Sequence, residues 1–108
     1  MPLAVVGHQS MTISSGTSTS GVIVAFDDAW GLTIYSPATM TASQAFVEVE
    51  PTSTGTTFVT LQSGGVDVTL PAGKATVISP VPFKQMRVTS TATEAQADEF
   101  RVSRTIVV

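Results

Sequence analysis

The residues to examine first are those that could move a proton during catalysis. His8 is the only histidine in the 108 residues, so a Ser/His/Asp hydrolase would have to use it as its base. Glu48 and Glu50 would lie about 7 Å apart on one face of a strand, where they could flank a substrate as acid and base. Glutamates placed this way are more typical of a solvated or salt-bridged sheet face. We therefore predict no catalytic residues and no enzyme activity.

A metal site is the second kind of chemistry to consider. Asp27 and Asp28 are adjacent carboxylates, which could offer oxygen ligands to a cation such as Ca²⁺. A calcium loop usually has carboxylates at alternate positions together with carbonyl ligands, and this segment lacks that pattern. The chain also has no cysteine, which excludes a thiolate site and a disulfide scaffold. We expect a solvated turn at these two residues, with no metal and no cofactor.

Two aromatic residues could bind a carbohydrate. Trp30 and Tyr35 flank the short segment 31–34, and aromatic faces can stack on sugar rings. In a small β-protein, one Trp and one Tyr more often fill the core. Carbohydrate binding through these two residues is therefore the alternative hypothesis.

The positive charges are concentrated towards the C-terminus. If the predicted strands 83–90 and 99–107 pair, they form a basic patch on an otherwise acidic domain. Such a patch would favour head-to-tail packing of copies or docking on an acidic neighbour. The other interpretation is ordinary cross-strand pairing with Glu94, Asp98 and Glu99. The four cations concerned, out of five in the chain, are Lys84, Arg87, Arg101 and Arg104.

Arg104 occupies an unusual position in the alternation of its strand. It has the same parity as Phe100, Val102 and Ile106, which predict a buried face. Three explanations are open: a β-bulge that resets the register, a partly buried and paired guanidinium, or an interface on that face.

The composition predicts an all-β protein. Val, Ile and Thr supply 37 residues, and β-branched side chains favour strands. Only 12% of the residues are charged, about half the usual fraction, whereas Ser and Thr number 29. The net charge of −3 makes nucleic acid a poor partner. No apolar stretch reaches the ~20 residues of a membrane span, and we expect neither a transmembrane helix nor a signal peptide.

Short alternating runs separated by turns recur about every ten residues, a spacing typical of a sandwich or barrel. Glycines in 63–65 and 71–73 predict tight turns, and 93–98 allows at most one helical turn. The run 22–26 is apolar on both faces, which indicates either a central strand or a strand that faces a partner. The predicted strands are 10–14, 21–27, 31–36, 44–50, 56–62, 66–70, 74–79, 83–90 and 99–107.

The N-terminal segment differs from the rest. Residues 1–9 are apolar without alternation, which indicates an extended arm that needs a surface to dock on. We therefore predict two parts, an arm at 1–9 and a single antiparallel β-sandwich of jelly-roll type at 10–108.

The order of several short motifs from residue 21 to residue 108 resembles the small β-sandwich structural proteins of tailed bacteriophages. Each motif is weak by itself, but their order and spacing cover about four-fifths of the chain. The motifs are Leu32-Thr33-Ile34-Tyr35, Ser36-Pro37-Ala38, Gly55-Thr56-Thr57-Phe58, Ser63-Gly64-Gly65, Pro71-Ala72-Gly73, Phe83-Lys84-Gln85-Met86-Arg87-Val88, Glu94-Ala95-Gln96-Ala97-Asp98 and Arg104-Thr105-Ile106-Val107-Val108.

This resemblance implies a non-enzymatic component of a virion, and among such roles we favour a capsid decoration or cement protein. The implied partners are the major capsid protein and further copies of the chain, with no nucleic acid and no membrane. The implied location is the virion, assembled in the host cytoplasm. A tail or fibre protein that binds host carbohydrate through Trp30 and Tyr35 is the alternative. The interface candidates are Pro2, Leu3, Ala4, Val5 and Val6 for strand addition, and Phe83, Lys84, Arg87, Arg101 and Arg104 for a charged contact face.

Overall fold

A computed structural model of the chain describes residues 3–24 and 29–107. This part of the chain consists of β-strands and loops, and it contains no helix that could cross a membrane. The strands are β1 (Leu3–Ile13), β2 (Ile23–Val24), β3 (Gly31–Tyr35), β4 (Gln44–Glu50), β5 (Val59–Thr60), β6 (Gln62–Ser63), β7 (Val66–Asp67), β8 (Thr69–Pro71), β9 (Ala75–Ile78), β10 (Gln85–Ser90) and β11 (Asp98–Val107).

The strands form two antiparallel sheets and one small hairpin. Sheet A has the order β1-β11-β3-β9, and sheet B has the order β2-β10-β4, with β5 and β8 both pairing with β4. If β5 and the β6–β7 hairpin are left out, eight main strands remain. When these eight are renumbered 1 to 8 in chain order, sheet A has the order 1-8-3-6 and sheet B the order 2-7-4-5. This is the strand arrangement of a jelly roll, so the predicted fold class is confirmed.

The core lies between the two sheets and is formed by alternate residues of the long strands. On β11, Phe100 and Val102 are fully buried, while Arg101 between them is exposed. On β4, Ala45 and Val47 are fully buried in the same way. This period of two is the physical basis of the sequence prediction, because successive side chains of a strand point to opposite faces.

The alternation of β1 changes at Gly7. Val6 pairs with Arg104 and His8 pairs with Ser103, so Gly7 is an extra residue in β1. Its φ of 68° lies in the left-handed region, which glycine adopts without steric strain. This β-bulge reverses the faces of β1. Odd-numbered residues point to the outer face before the bulge, and even-numbered residues do so after it.

The structure corrects the predicted boundary between an arm and a sandwich. Residues 3–9 are the first part of β1 and pair with β11 along their length, so the sandwich begins no later than Leu3. The segment lacked regular alternation because Leu3 to Val6 are apolar on both faces of the strand, and the bulge at Gly7 then reverses the two faces. The hairpin at 63–65 is confirmed, with positive φ at Gly64 and Gly65, and residues 93–97 form a loop that leads into β11.

Another correction concerns strand pairing near the C-terminus. The segments 83–90 and 99–107 contain β10 and β11, which belong to different sheets. β10 pairs with β4 and β2, and β11 pairs with β1 and β3. Alternation indicates which face of a strand is buried, but it does not indicate which strand lies beside it.

Candidate interaction surfaces

The edge strands of both sheets have no ionic side chains. Sheet A ends at β1 and β9, and sheet B ends at β2 on one side and at β5 and β8 on the other. None of these five strands contains Asp, Glu, Lys or Arg. The ionic residues of the two sheets lie in the inner strands β4, β10 and β11 instead. Natural edge strands are commonly protected from pairing by charged side chains, so this distribution is unusual.

The exposed apolar side chains are concentrated on the same edge strands. Nine large apolar or aromatic side chains are exposed in the described part of the chain, and five of them lie on edge strands. Val5 and Val77, on the two edges of sheet A, are each 67% exposed. The five residues on edge strands are Leu3, Val5, Val24, Val59 and Val77.

β1 is the longest of these edges. It has 11 residues, and no strand of the described chain pairs with its free side. Leu3 and Val5 point to the outer face there, while Ala4 and Val6 are partly buried on the core side. β2 and β5 have two residues each, which limits the number of backbone groups they can offer. The predicted strand-addition residues from Leu3 to Val6 therefore lie on the most suitable edge.

A groove of about 180 Å³ lies beside the other edge of sheet A. Its lining includes Val77 and Ile78 of the edge strand β9, and Leu61 and Val68 beside the β6–β7 hairpin. The groove thus adds apolar lining to an edge strand that is itself uncharged.

The predicted charged contact face is not a single surface. Arg87 lies on the outer face of sheet B and Arg101 on the outer face of sheet A, because their strands belong to different sheets. Phe83 is only 4% exposed and belongs to the core, so its assignment to a contact face is wrong. Lys84 is exposed and directly precedes β10.

Arg87 has a local partner on its own sheet. Its Nε donates to Glu48 Oε1 at 2.7 Å, directly across the β4–β10 pair. The guanidinium also lies 4.3 Å from the centroid of the Phe58 ring, within cation–π range. The interpretation of Glu48 as a salt-bridged residue of a sheet face is therefore confirmed.

Arg104 lies opposite a β-bulge and is partly buried, so two of its three predicted explanations apply together. The bulge lies opposite it, at Gly7 of β1, and the guanidinium passes over that glycine: a Cβ at position 7 would lie 3.5 Å from Arg104 Nε. The side chain is partly buried. The missing side chain of Gly7 therefore makes room for a long cation on the core side of the strand.

Glu50 is enclosed by the loop that follows β4. Its side chain is 6% exposed, and its Oε1 accepts hydrogen bonds from both the N–H and the hydroxyl of Thr52, each at 3.0 Å. Gln85 Nε2 donates to the carbonyls of Thr52 and Gly55, at 2.8 Å each, and so fixes the same loop to β10. Glu50 is thus a structural residue, and it does not share an open face with Glu48.

The structure contains a buried pair of carboxyl groups that the sequence analysis did not identify. Glu94 is fully buried and accepts hydrogen bonds from Thr41 N at 2.7 Å, Ala42 N at 3.0 Å and the Ser90 hydroxyl at 2.8 Å. Asp98 is 1% exposed and lies next to Glu94. A hydrogen bond between the two carboxyl groups needs one of them to be protonated, because two carboxylates offer no donor. These contacts tie the loop around residue 41 to the loop before β11. The proposed pairing of Glu94 and Asp98 with nearby cations is wrong.

The two carboxyl groups have opposite pKa shifts. Burial raises the pKa of Asp98 to about 6, and its hydrogen bond to Glu94 and the negative charge of Glu94 act in the same direction. Burial also opposes ionisation of Glu94, but the hydrogen bonds from Asp98, Ala42, Ser90 and Thr41 outweigh it and lower the pKa to about 2. Below pH 6, where Asp98 keeps its proton, it is therefore the donor and Glu94 the acceptor.

Trp30 and Tyr35 do not form one carbohydrate platform. They lie at opposite ends of β3, about 17 Å apart at the rise of a β-strand. Both are exposed, at 49% and 43%, so neither fills the core as the other interpretation expected. Tyr35 instead lies beside Arg101 and His8, which line a depression of about 190 Å³ with it.

Some predicted positions lie outside the described residues, namely Pro2, Asp27 and Asp28. Within residues 3–24 and 29–107, no group of three or more His, Asp or Glu side chains is arranged to hold a metal ion.

Comparisons with known proteins do not assign the chain to a family. No family model matches the sequence, and no curated protein matches it. The chain is similar to a solved chain from Bacillus endospore appendages, which are described as a family of disulfide-linked pili. The identity is 12% over 100% of this chain and 92% of the other, with a TM-score of 0.49. Similarity at this level does not establish a shared function, and the resemblance to bacteriophage proteins stays a prediction.

Proposed function

We propose that the chain is a non-enzymatic structural protein that assembles with other subunits through the open edges of its two sheets. More specifically, we propose a capsid decoration or cement protein of a tailed bacteriophage, bound in many copies to the outer shell. Its partners would be the major capsid protein and further copies of itself, and its location the virion.

One observation carries this proposal. The five edge strands have no Asp, Glu, Lys or Arg, and they hold five of the nine exposed large apolar side chains. Burying an ionised side chain in an interface costs several kcal/mol unless it is paired, whereas valines and hydroxyl-bearing residues cost far less. Edges of this composition are suited to contact with protein.

The main contact in this proposal is the free side of β1. Its unpaired backbone N–H and C=O groups can extend a sheet by strand addition, in which main-chain hydrogen bonds give affinity. Leu3 and Val5 would then be covered on the outer face by the added subunit. Each copy would bury about 1,000 to 2,000 Å² in total, and repetition over a shell would multiply modest contacts.

The direct test of the virion role is to locate the protein in particles. Virions from the phage that encodes the chain would be purified, analysed by mass spectrometry and imaged by cryo-electron microscopy. We expect the chain in many copies, as density on the outer shell. Absence from the particle, or a location in the tail alone, would contradict the decoration role.

The structure also determines which variant should be tested. Deleting residues 1–9 would remove more than half of β1 and expose one side of β11, so loss of binding could reflect loss of fold. A single substitution on the outer face, Val5→Lys, leaves the core side of β1 intact. We expect it to reduce shell binding while the melting temperature changes by no more than a few degrees.

A further inference from the structure

The outer face of sheet A has a depression of about 190 Å³, lined by His8, Tyr35 and Arg101. The strand registers place these residues together. Arg101 lies directly opposite Tyr35 of β3 on one side and Ser10 of β1 on the other. His8 pairs with Ser103, the next residue of β11 on the same face. Three separate strands thus contribute one side chain each.

Arg101 differs from Arg87 in its surroundings. It is exposed and makes no hydrogen bond or ion pair with any residue that the structure describes. Glu99 precedes it on the same face but forms no ion pair with it. The five N–H donors of this guanidinium are therefore available to an external acceptor.

We propose that this depression binds a sugar that carries a carboxylate. The planar guanidinium of Arg101 matches the geometry of a carboxylate and can hold it through two parallel hydrogen bonds. The exposed ring of Tyr35 offers an apolar face to the C–H side of the sugar ring, and its hydroxyl offers a polar tip. The His8 ring nitrogens can bind a sugar hydroxyl as donor or acceptor.

The dimensions favour a small ligand. Three adjacent strands span about 10 Å at the spacing of a β-sheet, which accommodates one or two sugar rings. A guanidinium alone would bind any small anion, so the aromatic ring beside it is what favours a sugar acid over phosphate. This inference does not depend on the decoration role, since it concerns the outer face of sheet A rather than its edges.

A titration followed by two-dimensional NMR tests the site with three probes. Methyl β-D-glucuronide carries the ring and the carboxylate, methyl β-D-glucoside carries the ring alone, and sodium phosphate is an anion without a ring. We expect the glucuronide to shift the amide signals of His8, Tyr35 and Arg101 with a Kd in the millimolar range, roughly 4 kcal/mol of binding. Each of the other probes should bind at least about tenfold more weakly.

Two variants and a matched control complete the experiment. Arg101→Gln and Tyr35→Ala should each weaken glucuronide binding by about tenfold or more. Lys84→Gln changes the net charge as Arg101→Gln does, but away from the depression, and should leave binding unchanged. Thermal melting checks that all variants are folded.

Three outcomes would overturn the proposal. The first is the absence of saturable shifts at these residues with the glucuronide. The second is equal binding by wild type and Arg101→Gln. The third is phosphate binding as tight as glucuronide binding, which would reduce the depression to a general anion site.

Discussion

Below pH 6, Asp98 and Glu94 share a proton inside the protein. Asp98 lies at the start of β11, and Glu94 lies four residues before it in the loop that is tied to Thr41 and Ala42. Both side chains are almost completely buried. Between pH 2 and pH 6 the protonated Asp98 donates to the ionised Glu94, and the pair carries one negative charge; above pH 6 both groups are ionised and repel each other.

The first prediction concerns the pH dependence of stability. The pKa of Asp98 is raised in the folded state from 3.8 to about 6, so its contribution is present below pH 4 and is lost as the pH rises through 6. The pKa of Glu94 is lowered from 4.5 to about 2, so its contribution is present above pH 4.5 and is lost as the pH falls through 2. The pair therefore stabilises the fold most near pH 4.

Asp98→Asn tests this assignment. The amide of asparagine can donate to Glu94 at every pH, so the loss of stability between pH 4 and 6 should disappear. We expect the Tm at pH 7.5 to rise by about 4 °C or more relative to wild type, with little difference at pH 4. Asp67→Asn, on the exposed hairpin, removes the same charge as a control. Parallel melting curves for wild type and Asp98→Asn at every pH would contradict the shared proton.

The second prediction concerns the loop that encloses Glu50. A Cβ at position 55 would overlap the Glu50 carboxyl group, which is buried and held by Thr52. Gly55→Ala should therefore destabilise the protein by about 1–3 kcal/mol, the usual range for overpacking. Gly21→Ala is the matched control, because a Cβ there meets no atom within 4 Å. Urea denaturation measures both.

A double variant distinguishes this clash from a backbone effect. If Gly55→Ala acts by displacing the Glu50 carboxyl group, it should be less harmful when Glu50 is already alanine. We expect a coupling energy of about 1 kcal/mol between the two positions. Strictly additive effects would show that the two side chains do not compete for the same space.

The third prediction concerns the bulge at Gly7. Glycine adopts its φ of 68° without strain. Asparagine adopts this left-handed conformation with less strain than alanine does. Gly7→Ala should cost about 1–2 kcal/mol, and Gly7→Asn should cost less. The order of the two denaturation midpoints is the measurement. Equal midpoints for wild type and Gly7→Ala would contradict a bulge at this residue.

The sequence predicted the jelly-roll class because the alternation of β4, β10 and β11 survives in the fold. It did not predict which strands are neighbours, and the prediction of a basic patch was wrong for that reason. A signal for the buried acid pair was present: Asp98 has the parity of Phe100 and Val102, and therefore points into the core. The burial of Glu50 had no such signal, since a loop covers it on the outer face of sheet B.

The juxtaposition of Tyr35, His8 and Arg101 also depends on strand register. These residues are far apart in the chain, and the bulge at Gly7 decides that His8 points outwards. Without the bulge, an even-numbered residue of β1 would point to the core side. Sequence alternation alone therefore could not bring these three side chains together.

The central claim is that the uncharged edge of β1 mediates assembly, and it is tested most directly by sedimentation velocity over a range of protein concentrations. Wild type should associate as its concentration rises. Val5→Lys, with a charge on the edge, should weaken the association at least about tenfold, or roughly 1.4 kcal/mol. Thr57→Lys adds the same charge to an exposed loop outside the edge strands and should associate as wild type does. Wild type that stays monomeric at every concentration, or Val5→Lys that associates as strongly as wild type, would contradict the claim.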